Sequence, residues 1–254
     1  MAVFEIKKKK HIYWAEIHRP ESNNAIDFEV MKELEELLDE IENNGKIRVL
    51  VLSGGGDRYF ASGQNIKAFS ELKTEEQSLE MASRMANILH RLENNRFWTM
   101  ACVNGEVHGG GCELLLAFDF TIASKTATFS FTQARFGVPP GWGGITRLVE
   151  RVGRSRALEW LGSNQVISSD DALHAGLINK LSITSELRRS TWEWALELSR
   201  CHPDLIKELK KGTRFALDGP RDTSLNREME QFSRFWATPE HQQRIADRLK
   251  DKKE

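Results

Sequence analysis

Cysteine is scarce in this sequence, and its three copies, Cys102, Cys112 and Cys201, do not make a set. The number is odd, no C-x-x-C pair occurs, and the chain is long for a disulfide scaffold, so a reducing compartment fits best. No apolar run reaches the length of a membrane span. The N-terminus lacks the apolar core of a signal peptide, and Glu5 and Glu16 argue against a transit peptide, so a cytoplasmic protein with no membrane partner is expected. Charge of one sign is missing too. The formal net charge is −1, which provides no general basic surface for a nucleic-acid backbone. Two glycine-based nucleotide signatures are absent. There is no G-x-x-x-x-G-K-[ST], and neither Gly54–Gly56 nor Gly109–Gly111 has the third glycine of G-x-G-x-x-G in place.

What remains is an ordinary globular composition, 40% apolar and 29% charged over 254 residues, long enough for one large domain or two small ones. Val3–Ile6 and Ile12–Ile17 read as paired strands, with the basic run Lys7–Lys10 guarding an exposed hairpin or edge. Asp27 is placed to cap a helix whose inward residues are Phe28, Met31, Leu34, Leu38 and Ile41, ending at Asn43-Asn44-Gly45. Val49–Leu52 is a buried strand, and Tyr59–Ile66 (YFASGQNI) a glycine-bearing loop. Met81–Leu92 is a helix, Phe97–Val103 a strand, and DFTIAS and ATFSF two more short strands. From Gly143 onward seven helical segments dominate, the last Glu240–Lys250. Alternating strands and helices followed by a helical tail predict α/β layers with a C-terminal helical region. The letters show no internal repeat.

The stretch Gly105–Phe120, GEVHGGGCELLLAFDF, carries the chemistry. Gly109–Gly111 stand where a loop enters a helix, leaving backbone N–H groups unpaired at its positive end. With a second donor from the ASGQNI loop they form a candidate oxyanion hole. Glu113, a lone carboxylate in an apolar run, has the surroundings of a raised-pKa acid or base. Cys112 reads as a small buried hydrophobe. His108 has no second ligand at metal spacing, so no metal is expected.

Five motifs in order, HRPESNNAID, VLVLSGGGDRYFASGQNIK, ACVNGEVHGGGCELLLAFDFTIAS, FGVPPGWGGITRLVERVG and DALHAGLINK, resemble the enoyl-CoA hydratase/isomerase, or crotonase, superfamily over nearly the whole chain. The resemblance implies an α/β fold: a spiral of ββα repeats over residues 1–195 holding the acyl-CoA site, and a C-terminal helical trimerisation region over 196–254. It implies a homotrimer or hexamer and an acyl-CoA substrate, with no cofactor beyond the coenzyme A that the substrate carries. By motif position the oxyanion donors are the amides of Gln64 and Gly110, and the catalytic side chains are Glu113 and Gln133. Ala61, Ser62, Ile66, Gly109, Pro140, Gly141 and Trp142 fall at substrate-binding positions, and Arg19, Ala25 and Lys67 flank the loops that embrace coenzyme A. Phe232, Phe235 and Trp236 fall where C-terminal helices pack, in the core or at a trimer contact.

Two positions depart from the pattern. Gln133 stands where the hydratases have a second glutamate, and it cannot carry a proton. Asn65 replaces an aspartate, a change expected to affect loop anchoring. Double-bond isomerisation by Glu113 alone, hydration with Gln133 positioning the water, and decarboxylation of a malonyl-type thioester all remain open. Trp142, in PPGWGGITRLVERVG, resembles the corresponding residue of ethylmalonyl-CoA decarboxylases, where it would narrow the acyl channel if it lines the pocket. A non-catalytic, coenzyme A- or partner-binding member of the fold is the alternative from another class. RNA binding through a lysine-rich helix, known in the family, is weakened here by interspersed acids.

Overall fold

In the computed structural model, which describes residues 3–250, strands from successive stretches of chain are dealt alternately to two sheets. The first pair, β1 (Phe4–Lys9) and β2 (Ile12–Ile17), is an antiparallel hairpin. After helix α1 (Phe28–Asn43), strand β3 (Val49–Gly54) adds parallel to β2, and β4 (Tyr59–Ala61) leaves for the second sheet. A short helix, α2 (Ile66–Phe69), and a long one, α3 (Glu75–Asn94), lead to β5 (Trp98–Val103) in the first sheet and β6 (Glu106–His108) in the second. Helix α4 (Gly110–Leu116) then separates them from β7 (Phe120–Ser124) and β8 (Thr128–Ser130), which repeat the same division. The first sheet has the order β1-β2-β3-β5-β7-β10 and the second β4-β6-β8-β9, where β9 is Ile167–Ser168 and β10 is Lys180–Ser182. These three strand–strand–helix turns are the spiral that the family resemblance implies.

The parallel strands read as continuous apolar runs because both faces are covered. Alternate residues of β3 point to opposite sides. Leu50 and Leu52 join the main core with Met31, Leu34 and Leu38 of α1 and Ile88 and Leu92 of α3. Val49 and Val51 join Trp14, Met100 and Ile122 in a second cluster closed by Leu187 and Ala195 of α8 (Leu187–Leu198).

Between β8 and α8 lie helices α5 (Gly144–Val152), α6 (Arg154–Ser163) and α7 (Ser169–His174). One compact unit ends at Arg200, so the expected division at 195/196 falls inside α8. The other begins at Cys201 and consists of α9 (Pro203–Asp218), α10 (Arg221–Trp236) and α11 (Pro239–Lys250). Residues 1–2 and 251–254, the ends of the two expected regions, lie outside the described residues. Among the described residues no helix is long and apolar enough to cross a membrane.

Several expectations are corrected. The YFASGQNI segment is not all loop, because Tyr59–Ala61 is β4. Strands β6, β9 and β10 were not anticipated, since two or three residues cannot display the alternation that marks a strand. A repeat that the letters hide is plain in the topology, because each turn needs only an apolar strand and a short partner. Phe28 is not inward but 39% exposed, edge-on to Phe69 at 5.1 Å, and Val30 and Leu37 are buried in α1 instead. Phe232 and Trp236 are exposed in the single chain rather than part of its core.

Asp27 ties this frame to the loop that follows β4. Its Oδ1 accepts the amides of Glu29 and Val30, both at 3.1 Å, and so caps α1. Its Oδ2 accepts Arg19 Nη1 at 2.6 Å and Asn65 Nδ2 at 3.3 Å. Asp27→Ala therefore removes a cap and leaves a half-buried arginine short of its counter-charge. It is expected to lower unfolding free energy by about 1–3 kcal/mol, read as a shift of the urea midpoint, and an unchanged midpoint would refute this role.

Candidate active site

Two chain segments are pressed together at the mouth of α4. Gly63 has φ +98°, and a Cβ there would lie 2.7 Å from the His108 carbonyl oxygen and 3.2 Å from the Gly110 nitrogen. Only glycine lets the 62–64 segment run this close to 108–110. The parallel bridge between Ile26 and Gln64 uses the groups on either side of Gln64: Ile26 N donates to Gly63 O at 2.8 Å and Asn65 N to Ile26 O at 2.8 Å. The Gln64 amide is thus left over. The Gly110 amide is left over for a different reason, since it opens α4 and has no carbonyl one turn back. Gly109, at φ +48° and ψ −115°, makes the turn into the helix and spends its own N–H on Ser130 O at 2.8 Å. Ser62, Gly63, Gln64, Ile66, Gly109 and Gly110 line a cavity of about 440 Å³ together with Gln133.

Glu113 sits one turn into α4 and is fully buried. Its Oε2 accepts two backbone amides, Trp142 N at 2.7 Å and Gly144 N at 3.0 Å, while Oε1 accepts Gln133 Nε2 at 3.0 Å. Burial pushes the Glu113 carboxyl above its ordinary value. The Trp142 amide, Gln133, and the amides of Gly144 and Gly141 pull the other way. Gly144 is also the first residue of α5, so the carboxyl occupies the positive end of that helix. A Cβ at Gly144 would lie 2.6 Å from Glu113 Cγ.

Helices α4 and α5 cap each other. Glu113 of α4 takes amides at the start of α5, and Arg151 of α5 gives Nη2 to Leu116 O at 3.3 Å and to Phe118 O at the end of α4.

Trp142 is fully buried and is not among the residues lining the cavity, so the condition under which its ring would narrow an acyl channel is not met there. The indole instead backs Gly110, where an added Cβ would come within 2.5 Å of the ring. Ala61 is likewise buried, at the end of β4. Gly141 is exposed and its amide is the weakest of the influences that lower the Glu113 carboxyl, and Pro140 precedes it half-buried. The coenzyme A candidates stand apart from the cavity lining. Arg19 is paired with Asp27, Ala25 is buried, and Lys67 is exposed on α2 beside Ile66.

Among features that sequence reasoning missed, Phe69, Thr132 and Phe136 also line the cavity. Arg147 and Arg151 are buried or nearly so on α5. Two arginines four apart beside the apolar positions of one short helix were a readable signal for buried pairing.

Cys112 is buried with Sγ 3.2 Å from Val107 O, and burial pushes its thiol up to about 12, which suits packing and not nucleophilic attack. His108 Nε2 lies 3.1 Å from Glu106 Oε2. Elsewhere Glu5, Glu16 and His18 bring ligand atoms within 4.8 Å of one another, but Glu16 is already paired with Arg188 at 2.5 Å.

The burial of Glu113 has a sign that stability can read. Its folded value lies above the unfolded one, so the folded state holds the proton more tightly. That contribution is fully present below the unfolded value near 4.5 and is lost as pH rises through the folded value. Glu113→Gln should therefore become progressively more stable relative to wild type as pH rises from about 4.5 towards the raised folded value, and level off above it. Chemical denaturation at several pH values checks this, and a pH-independent difference would contradict it.

The family model described as enoyl-CoA hydratase/isomerase matches residues 7–252. A short-chain-enoyl-CoA hydratase of Clostridium acetobutylicum is 31% identical over 233 residues, 92% of this chain and 89% of that protein. An ethylmalonyl-CoA decarboxylase of Bos taurus is 28% identical over 233 residues, 91% of this chain and 76% of that protein. The crystal structure of an enoyl-CoA hydratase from Bacillus anthracis superposes with a TM-score of 0.93 at 24% identity, covering 98% of this chain and 96% of that one, and this likeness concerns the fold. With a match that spans nearly every residue, the chain belongs to the enoyl-CoA hydratase/isomerase family.

Proposed function

We propose that this protein is an enzyme acting on acyl-CoA thioesters through an enolate, with hydratase/isomerase-type proton chemistry at C2 or C3. The thioester oxygen would lie between the amides of Gln64 and Gly110, the two donors that the local hydrogen bonding leaves over beside the cavity. A thioester carbonyl is weakly resonance-stabilised, so an enolate beside it is accessible, and its oxygen carries the charge these donors would hold. Loss of one such donor typically removes about 3–4 kcal/mol of barrier stabilisation. The chemistry needs no cofactor beyond the coenzyme A of the substrate. Exposed Phe232 and Trp236 on α10 are consistent with a homotrimer or hexamer assembled through the C-terminal helices.

The observation that carries this reading is the asymmetry of the Glu113 carboxyl. Oε2 is saturated by two rigid amides, whereas Oε1 has one flexible partner, Gln133, which itself lines the cavity. Proton exchange is thereby directed to Oε1, which meets the cavity through Gln133, Glu113 itself being fully buried and outside the lining. Glu113 takes a proton from substrate carbon as carboxylate, or delivers one as acid. Gln133 holds a water or substrate oxygen but cannot titrate, so one carboxyl does all the proton transfer.

A second reading follows from the same pair. In a malonyl-type thioester, breaking the bond between C2 and the carboxylate releases CO₂ and leaves the electron pair as the enolate. Protonation of C2 by Glu113 completes the reaction, and water returns the proton. Burial favours the acid form of Glu113, and a neutral Gln133 admits a substrate carboxylate that a glutamate would repel. Decarboxylases among the relatives add weight.

Incubation with crotonyl-, ethylmalonyl- and methylmalonyl-CoA, following product mass and CO₂ release, separates the readings. Thermal stabilisation by these thioesters without turnover of any would favour a binding protein instead. Glu113→Gln should abolish turnover while thioester affinity stays within about twofold, because the amide keeps the volume but exchanges no proton. Normal turnover in that variant removes Glu113 from the mechanism. Gln133→Glu should gain crotonyl-CoA hydration, since it restores a second carboxylate, and no gain would argue that Gln133 does not face the reacting carbon.

A further inference from the structure

Arg147 lies in the first turn of α5, where a cation faces the positive end of the helix and is disfavoured. It is also 9% exposed. A buried cation in an unfavourable field needs compensating contacts, and these are specific. Nη1 donates to the Trp142 carbonyl at 2.9 Å, while Nε and Nη2 donate to Glu93 Oε2 on α3 at 3.2 and 3.1 Å. The guanidinium fills the space beside Gly143, which has φ +86° and whose Cβ would fall 2.5 Å from Nη1.

The clamped residue is the one on which the site turns. The N–H of Trp142 donates to Glu113 Oε2, the Gly144 N–H two residues on donates to the same atom, and the Trp142 ring backs Gly110. We propose that Arg147, anchored by Glu93, is a positioning residue: by holding the Trp142 carbonyl it keeps two amides on Glu113 and the indole behind Gly110. This rests on the acid/base reading of Glu113 for its effect on turnover, but not for its effect on the carboxyl itself. The charged groups around the clamp are Arg147 and Arg151 on α5, Glu93 on α3, Asp119 after α4 and Glu150. Gln133 does not titrate.

The test follows the Glu113 carboxyl by ¹³C NMR of glutamate-labelled protein, assigned with Glu113→Gln, in wild type, Arg147→Gln and Arg147→Lys. Without the clamp the two amides loosen and the carboxylate loses donors. Its titration midpoint should rise by about one pH unit in Arg147→Gln, with a smaller rise in Arg147→Lys, which keeps charge but not the fork. On whichever thioester is turned over, kcat should fall about tenfold with KM within about twofold, as expected for misplacement of a reacting group rather than lost binding. A wild-type midpoint and wild-type kcat in folded Arg147 variants, even with lowered thermal stability, would reduce the residue to a helix tether and overturn the proposal. If Arg147→Gln does not fold, Arg147→Lys decides by the same titration. If Glu113→Gln retains turnover, the functional reading fails while the titration still judges the clamp.

Discussion

Taking a carboxyl group fully out of water is costly, and the centre of this structure is organised around making one tolerable. Glu113 has no solvent of its own, so each of its oxygens must be satisfied by protein. The backbone amides of Trp142 and Gly144 and the side-chain amide of Gln133 do this. The compensation is incomplete: burial still holds the carboxyl above its ordinary value, so it keeps its proton more readily than an exposed carboxylate does. Placing the group in water would leave an ordinary carboxylate.

That requirement explains much of the local sequence. Gly110 and Gly144 are glycine because an indole and a carboxyl chain occupy the space a side chain would need. Two short helices cap one another, with the acid of α4 at the start of α5 and an arginine of α5 at the end of α4. Each helix is too short to be stable alone, so mutual capping and burial against the two sheets must hold them. The acid and the unpaired amide of Gly110 thereby share one short, braced helix.

The sequence declared the long elements well and the short ones poorly. The apolar period of α1 and its Asp27 cap, and the buried run of β3, are strong local signals, and they are where expected. Strands of two or three residues in the second sheet carry no period, since their pairing is supplied by neighbours distant in the chain. Glu113 and the Gly109–Gly111 run stood out because a carboxylate among leucines and glycines before a helix violate local preference, and such violations need a reason; Gln64, Gly110 and Gln133 were singled out only by the resemblance to the family. The place of Trp142 stayed open between cavity and loop packing, and Arg147 was missed. Nothing in the letters says whether a tryptophan faces a cavity or its wall, or that an arginine in a helix's first turn is buried against a glutamate of α3 more than fifty positions back.

The close approach of Gly63 to Gly110 also separates two kinds of evolutionary freedom. The back of the cavity is backbone against backbone, with no room for a larger residue at either glycine. Its front is made by side chains of α2 and of the 132–138 segment, where Ile66, Phe136 and Val138 are exposed. On the proposed reading, variation in chain length or branching of an acyl group would be accommodated at the rim by ordinary surface substitutions, while the wall that would hold the thioester oxygen keeps its shape. A scaffold so divided can retarget its substrate without rebuilding its chemistry.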